Sequence, residues 1–189
     1  MRNLNIFIFT FFIVSSCEVV EGPYQNEINN NGSSETVLQK ILIEDFTGHT
    51  CMNCPDAATE LESIKELYPN QVIGIALHVG NTFARPLPPN SSNKYLTDFR
   101  TKWGEEIDNY FEVSSVGLPK GMINRNEEEP KSKDDWGNVV SEIINNSPLF
   151  DIDISASPFV FGDCDIEVIV KALENVDGEY NIVIALTED

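Results

Sequence analysis

Two cysteines, Cys51 and Cys54, are the residues of this 189-residue chain best placed by type and spacing to do chemistry. They lie in the stretch Glu44-Asp45-Phe46-Thr47-Gly48-His49-Thr50-Cys51-Met52-Asn53-Cys54-Pro55. Two intervening residues on a helical turn let the sulfurs meet, so such a pair can cycle between dithiol and disulfide. The unpaired N–H groups and positive dipole end of a first helical turn stabilise a thiolate on the first cysteine. The same stretch also gathers the imidazole of His49, the thiols of Cys51 and Cys54 and the thioether of Met52, soft ligands suited to copper(I) or zinc. A single Cys-x-x-Cys without a second ligand pair does not make a closed zinc site, so no metal is expected. Nothing in the chain calls for a cofactor, since a dithiol carries its own two electrons.

The flanking sequence must place this pair. Residues 41–43 are apolar and read as the end of a buried strand. Ala57, Ala58, Leu61, Ile64, Leu67 and Tyr68 recur at helical spacing after it, and Pro55 suits a first turn, where its missing N–H is no loss. Residues 71–79 form a near-continuous apolar run, as in a strand covered on both faces. Strand, helix and strand make a right-handed βαβ unit if the strands are parallel. After a Pro-containing loop at 81–93, Leu96, Phe99, Trp103, Ile107 and Tyr110 predict a second helix on one apolar face. A short strand is expected from about Gly121. The loop at 126–133 holds no strand pattern, and a third helix bears Trp136, Val140, Ile143 and Ile144. One domain, residues 37–147, follows from this order.

The start of the chain reads differently. Residues 6–14 are apolar but for Thr10, too short to span a bilayer and apt for a signal-peptide core behind Arg2. The run closes on Val14-Ser15-Ser16-Cys17, which resembles the lipobox of bacterial lipoproteins. Residues 1–16 then form a signal peptide, and Cys17 is the lipid-attachment residue that ties the chain to a membrane. The other reading is an ordinary secretory signal with a chance cysteine nearby. Residues 17–36, rich in Asn, Glu, Gly and Ser, read as a flexible tether. The formal net charge is −19, and −20 once Arg2 leaves with the signal peptide. Such a chain does not bind nucleic acid by neutralising phosphates, and an anionic membrane surface repels it. Membrane association must come from the lipid.

Beyond residue 147 the pattern changes to period two. Phe150, Ile152 and Ile154 alternate with polar residues, as do Ile166, Val168, Val170 and Ala172, and then Tyr180, Ile182, Ile184 and Leu186. Asp177-Gly178 supplies a turn before the last set. Residues 148–189 thus read as the start of an antiparallel β-sandwich-like domain, incomplete because three strands make a poor core. The expectation is of a fragment or an incomplete gene product. Cys164 reads as a small buried strand residue, or else as the partner of a cysteine in a missing segment.

The order of strand, Cys-x-x-Cys helix, strand, helix, Gly-x-Pro, strand and helix resembles the thioredoxin fold. Asp45, six residues before Cys51, matches the buried aspartate of thioredoxins, and Phe46 the phenylalanine beside it. Val116-Gly117-Leu118-Pro119 resembles their cis-proline loop, which lies against the redox pair and helps to dock an extended substrate. The signal peptide, Ile43-Glu44-Asp45-Phe46-Thr47-Gly48-His49-Thr50-Cys51 with its Cys54-Pro55, and Pro119-Lys120-Gly121-Met122-Ile123-Asn124-Arg125 are together similar to the outer-membrane protein 28-related lipoproteins of Gram-negative envelopes. That resemblance implies a thioredoxin-like domain followed by a β-domain, held at the outer membrane. Thr50 stands where thioredoxins carry tryptophan, and Met52-Asn53 where they carry Gly-Pro, so the redox direction is left open.

The roles implied are an attacking thiolate at Cys51, on the exposed helix end, and a resolving thiol at Cys54. Asp45, if buried beneath the pair, would have a raised pKa and take the proton of Cys54; otherwise it is a solvated or hydrogen-bonded strand-end carboxylate. Pro119 completes the site. His49 either lowers the Cys51 pKa when protonated or is a polar surface residue, and His78 reads as structural. The function expected is an envelope lipoprotein that exchanges thiols and disulfides with protein partners. The alternative is a non-enzymatic surface lipoprotein in which Cys51–Cys54 is a structural disulfide, as suits an oxidising compartment.

Overall fold

The computed structural model describes residues 37–89, 94–125, 129–160 and 162–188. The signal peptide, Cys17 and the tether lie outside the described residues. The described chain divides between two units, residues 37–154 with 168–188 in one and residues 155–160 and 162–167 in the other.

The body is mixed α/β. Its sheet has the order β2-β1-β3, with β1 (Ile41–Thr47) central, parallel to β2 (Val72–His78) and antiparallel to β3 (Lys120–Ile123). Strand alternation divides β1 between two layers. Ile41 and Ile43 join Val72 and Ile123 in a cluster with Ala57, Leu61 and Ile64 of α1 (Cys54–Leu67) and Trp136 and Val140 of α3 (Lys133–Ile143). Phe46, on the opposite face, packs with Met122, Val79 and Val113 beside Ile107 and Phe111 of α2 (Lys102–Phe111). Glu44 shares that second face. It is fully buried, and the Arg125 guanidinium donates to both its carboxylate oxygens, with Nε 2.6 Å from Oε2. Arg125 also lies over the Phe111 ring at 6.0 Å. Asn124 extends the pairing beyond β3: its N–H donates to the Leu42 carbonyl and its Oδ1 accepts the Leu42 N–H.

Several elements depart from the sequence expectation. β2 is an edge strand, and Ile73 faces solvent, so the apolar run is not covered on both faces. In α1 the inward residues are Cys54, Ala57, Leu61 and Ile64, while Ala58 and Leu67 point outward. The second helix begins at Lys102 because Thr101 caps it, its Oγ1 accepting the Gly104 N–H at 3.0 Å. Leu96 and Phe99 therefore precede the helix. Trp103 and Tyr110 are 70% and 81% exposed, and the buried face is Gly104 and Asp108. Asp108 earns its burial by accepting the Ser114 N–H and hydroxyl, both at 2.6 Å. Lys131, in the loop expected to hold no strand, makes a two-bond antiparallel bridge with Gly121.

The C-terminal part supplies a small second sheet, β4 (Phe150–Ala156) with β5 (Ile166–Ala172), antiparallel by the bonds Ser157 to Asp165 and Leu173 to Leu149. The expected third strand is not formed: residues 179–188 are irregular, and Tyr180, Ile182, Ile184 and Leu186 are exposed. A strand needs a hydrogen-bonded neighbour, and alternation alone does not provide one. Cys164 is a free, half-buried thiol just before β5, with Sγ 3.1 Å from the Ser157 carbonyl, and not a buried strand residue.

Gly121 shows how tightly the first layer is packed. A Cβ there would stand 2.4 Å from the Trp136 ring, so the indole occupies the space that a side chain would need. Gly121→Ala should cost about 1–3 kcal/mol of stability by overpacking. Gly137→Ala, in α3 with its nearest foreign atom at 3.7 Å, should instead add up to about 1 kcal/mol through helix propensity. Denaturant titration followed by tryptophan fluorescence reads both.

Candidate functional site

The register of the sheet brings its chemistry-bearing ends together. Thr47 ends β1 opposite His78 at the end of β2, and Pro119 precedes β3 at the same level, one residue beyond the Phe46–Lys120 pair. The chain leaves β1 through the tight turn 48–51, closed by the Cys51 N–H to the Gly48 carbonyl at 2.9 Å, and enters α1 at Cys54.

Cys51 and Cys54 form a disulfide, with Cα atoms 5.4 Å apart. Cys54 is the first helical residue and Pro55 occupies the first turn. Cys51 lies in the turn before the helix and is only 7% exposed, against 4% for Cys54. It is thus not on an exposed helix end. The reason is a second loop laid over the turn. The Phe83 carbonyl accepts from the Thr50 N–H at 3.1 Å and from the Thr50 hydroxyl at 2.9 Å. A Cβ on Gly48 would lie 2.6 Å from the Phe83 backbone, so only glycine permits this approach. Met52, between the cysteines, is 92% exposed.

Asp45 lies on the α1 face of β1, by alternation with Ile43 and Thr47, in register with Gly121 and Ala76. It is 2% exposed and its Oδ1 has no hydrogen-bond partner. Burial pushes its carboxyl up to about 7, which keeps a proton on it in mildly acidic solution. Pro119 follows a cis bond from Leu118. Gly117 adopts φ 99°, a conformation suited to glycine, and the segment is anchored by the Ser114 bonds to Asp108.

The histidines were legible singly, and their association was not. His49 Nε2 lies 3.2 Å from the Arg85 carbonyl; since a carbonyl only accepts, Nε2 carries the proton. The His49 ring stacks on Tyr95 at 5.4 Å, meets Phe99 edge-on at 6.0 Å and stands 6.0 Å from the His78 ring. Phe99 also contacts His78 at 5.3 Å. Phe99, expected on the second helix, is instead a ring of this cluster, together with Tyr95. Desolvation, and then the neighbouring His49, lower the His78 pKa. The one sequence signal for the pair is the strand register, which sets His78 beside Thr47, two residues before His49.

Three buried side-chain atoms lack hydrogen-bond partners among the described residues: Asp45 Oδ1, His49 Nδ1 and His78 Nδ1. All three belong to the end of the sheet that carries the disulfide. Unsatisfied buried polar atoms are costly, and their concentration there makes this end of the sheet the candidate site. No helix among the described residues is long and apolar enough to cross a membrane.

No family model matches the chain, and no curated protein does. A crystal structure of a protein from Agrobacterium tumefaciens is similar at 15% identity and a TM-score of 0.42, over 71% of this chain and 58% of that one. So small a likeness carries no functional weight.

The Asp45 shift makes stability pH-dependent. The native carboxyl holds its proton to about pH 7, whereas an unfolded one releases it near 3.8. The contribution is therefore fully present below about pH 4 and is lost as pH rises through 7. At about 1.4 kcal/mol per unit, the loss is at most about 4 kcal/mol. Asp45→Asn should remove this decline, so that the difference in unfolding free energy between variant and parent moves in favour of the variant from pH 4 to 8. An unchanged difference would show Asp45 to be solvated.

Proposed function

We propose that residues 37–147 form a thioredoxin-like domain and that Cys51–Cys54 exchanges thiols and disulfides with protein partners. What carries this reading is the unpartnered, buried Asp45 on the face of β1 that packs against α1, the helix that begins at Cys54. The element order, the parallel β1–β2 pair, the antiparallel β3 and the cis proline before it support it. The strand hairpin usual after that proline is reduced to the Gly121–Lys131 bridge.

In this mechanism a partner thiolate or disulfide meets the pair beside Pro119. Cys51 attacks a partner disulfide and forms a mixed disulfide, Cys54 then attacks Cys51 Sγ, and the partner leaves as a thiol. Asp45, with a pKa near neutrality, accepts the Cys54 proton in that second step. The two electrons pass from the dithiol to the partner. The reverse sequence oxidises a partner. With the lipobox and the tether, the domain would work from a lipid anchor at Cys17 on the outer membrane, as in the outer-membrane protein 28-related lipoproteins.

A structural disulfide is the competing reading. In the chain-entropy description a loop this short gains only about 2 kcal/mol from closure, against about 4.7 for a 100-residue loop. Such a brace stabilises little at an end of the sheet that already holds three orphaned polar atoms.

Equilibration of the chain with dithiol buffers of known potential separates the two readings. A value between about −270 and −120 mV, the span from thioredoxin to DsbA, is expected, together with a mixed disulfide trapped at Cys51 in the Cys54→Ser variant. A value well below about −300 mV, with no trapped species, would leave a non-enzymatic binding lipoprotein.

A further inference from the structure

We propose that the outer edge of β2 pairs with the same edge of a second copy of this chain, in an antiparallel twofold contact centred on Ile75. The inference goes beyond the thiol-exchange reading and does not rest on it.

The observation behind it is a strand edge left open and unguarded. β2 has β1 on one side and, among the described residues, no strand on the other. Its sequence, Val72-Ile73-Gly74-Ile75-Ala76-Leu77-His78, holds no proline and no charged residue apart from the terminal histidine. One-to-one register with β1 along the whole strand leaves no bulge. Charge, proline and bulges are the usual means by which an edge is kept from pairing with another chain. The Ile41 N–H donates to the Gln71 carbonyl and the Val79 N–H to the Thr47 carbonyl, so the odd-numbered residues of β2 bond inward to β1. Bonding direction alternates along a strand, and Val72, Gly74, Ala76 and His78 therefore turn their N–H and C=O groups to the outer edge.

The groups already engaged select one register. The Val72 N–H is given to the Tyr68 carbonyl at 3.2 Å. Gly104 of α2 stands beside the His78 carbonyl, where a Cβ would lie 3.8 Å from it. A twofold axis at Ile73 or Gly74 needs the Val72 N–H, and one at Ala76 or Leu77 needs the His78 carbonyl. An axis at Ile75 draws its central bonds from Gly74 and Ala76 alone, each set opposite the other in the second copy. Side chains then meet their like. On the α2 face Ile75 faces Ile75, and Ile73, 50% exposed as it stands, faces Leu77, in the pairs where side chains approach closest. On the α1 face the small Gly74 and Ala76 meet. A contact that repeats itself about a twofold axis closes at the dimer and joins the two sheets in the order β3-β1-β2-β2-β1-β3. With a formal net charge of −19 the chains repel one another at long range, and this uncharged edge is where two copies can meet.

The test uses the full chain in sedimentation equilibrium, with hydrogen exchange followed at the amides of Gly74 and Ala76. A dimer with both amides protected is expected, tightened by added salt because the two copies share one sign of charge. Ile73→Lys places a charge on a side chain that is already exposed. It should raise the dimer dissociation constant by at least about tenfold and release both amides, with the far-ultraviolet circular dichroism unchanged. Ile75→Cys lies on the axis, where the two Cα atoms stand about 4.5 Å apart, within disulfide reach. Mild oxidation should join two copies through residue 75, as read by peptide mass spectrometry, and Ile73→Cys should not bond to itself. Cross-linking at residue 73 in place of 75, a dimer unaffected by Ile73→Lys, or a chain monomeric up to its solubility limit would overturn the contact. Amides protected in a monomer would overturn it too, by showing that another segment of the same chain fills the edge.

Discussion

The hydrogen-bonded register of β1 with its two neighbours is what the disulfide end of the sheet depends on. β1 is paired on both edges and covered on both faces, so its side chains have no freedom to slip. A shift of one residue would turn Ile41, Ile43 and Asp45 to the α2 layer and bring Glu44 and Phe46 beneath α1. It would also separate Thr47 from His78 and from the level of Pro119. The site is therefore not assembled by its loops alone. Three strand ends fix its floor, and the turn 48–51 and the start of α1 are laid across it.

The same strand carries two adjacent carboxylates into the interior, and the fold treats them in opposite ways. Glu44 meets a bidentate guanidinium, backed by Phe111, and its two oxygens are satisfied. Its desolvation is offset by a charged partner, although a buried pair of this kind need add no net stability. Arg125 reaches it from left-handed backbone, φ 50°, directly after Asn124 has extended the pairing with β1. Asp45 Oδ1 has no hydrogen-bond partner among the described residues. The fold thus satisfies one carboxylate of the strand completely and leaves an oxygen of the other unpaired at the disulfide end. That contrast is stronger than either residue alone, because both share one strand and one degree of burial.

How much was legible follows from which forces act locally. The Cys-x-x-Cys pair, β1, the start of α1 and the strand from about Gly121 were readable, since cysteine spacing, Pro55 and short apolar runs act within a few residues. The start of α2 was not, because Leu96, Phe99, Trp103, Ile107 and Tyr110 mimic one helical face. A single hydroxyl, that of Thr101, decides the boundary, and a buried aspartate and a glycine form the real inner face. The third C-terminal strand had the right alternation and lacked a partner. His78 looked like an isolated polar residue in an apolar run; its meeting with His49 depends on a parallel pairing between residues some thirty positions apart, which no local pattern encodes.

The turn before the cysteine pair is tied down from elsewhere in the chain. Thr50 donates both its N–H and its hydroxyl to the Phe83 carbonyl. That bond draws the 80s loop over the turn, and Gly48 leaves room for its backbone. The same loop carries Arg85, whose carbonyl orients His49, and Tyr95 and Phe99 bring rings to the imidazole. The surroundings of His49 are thus assembled from residues thirty to fifty places away. Both imidazoles meet Phe99 and one of them meets Tyr95, so displacing either ring would alter the surroundings of His49, and displacing Phe99 those of His78 as well.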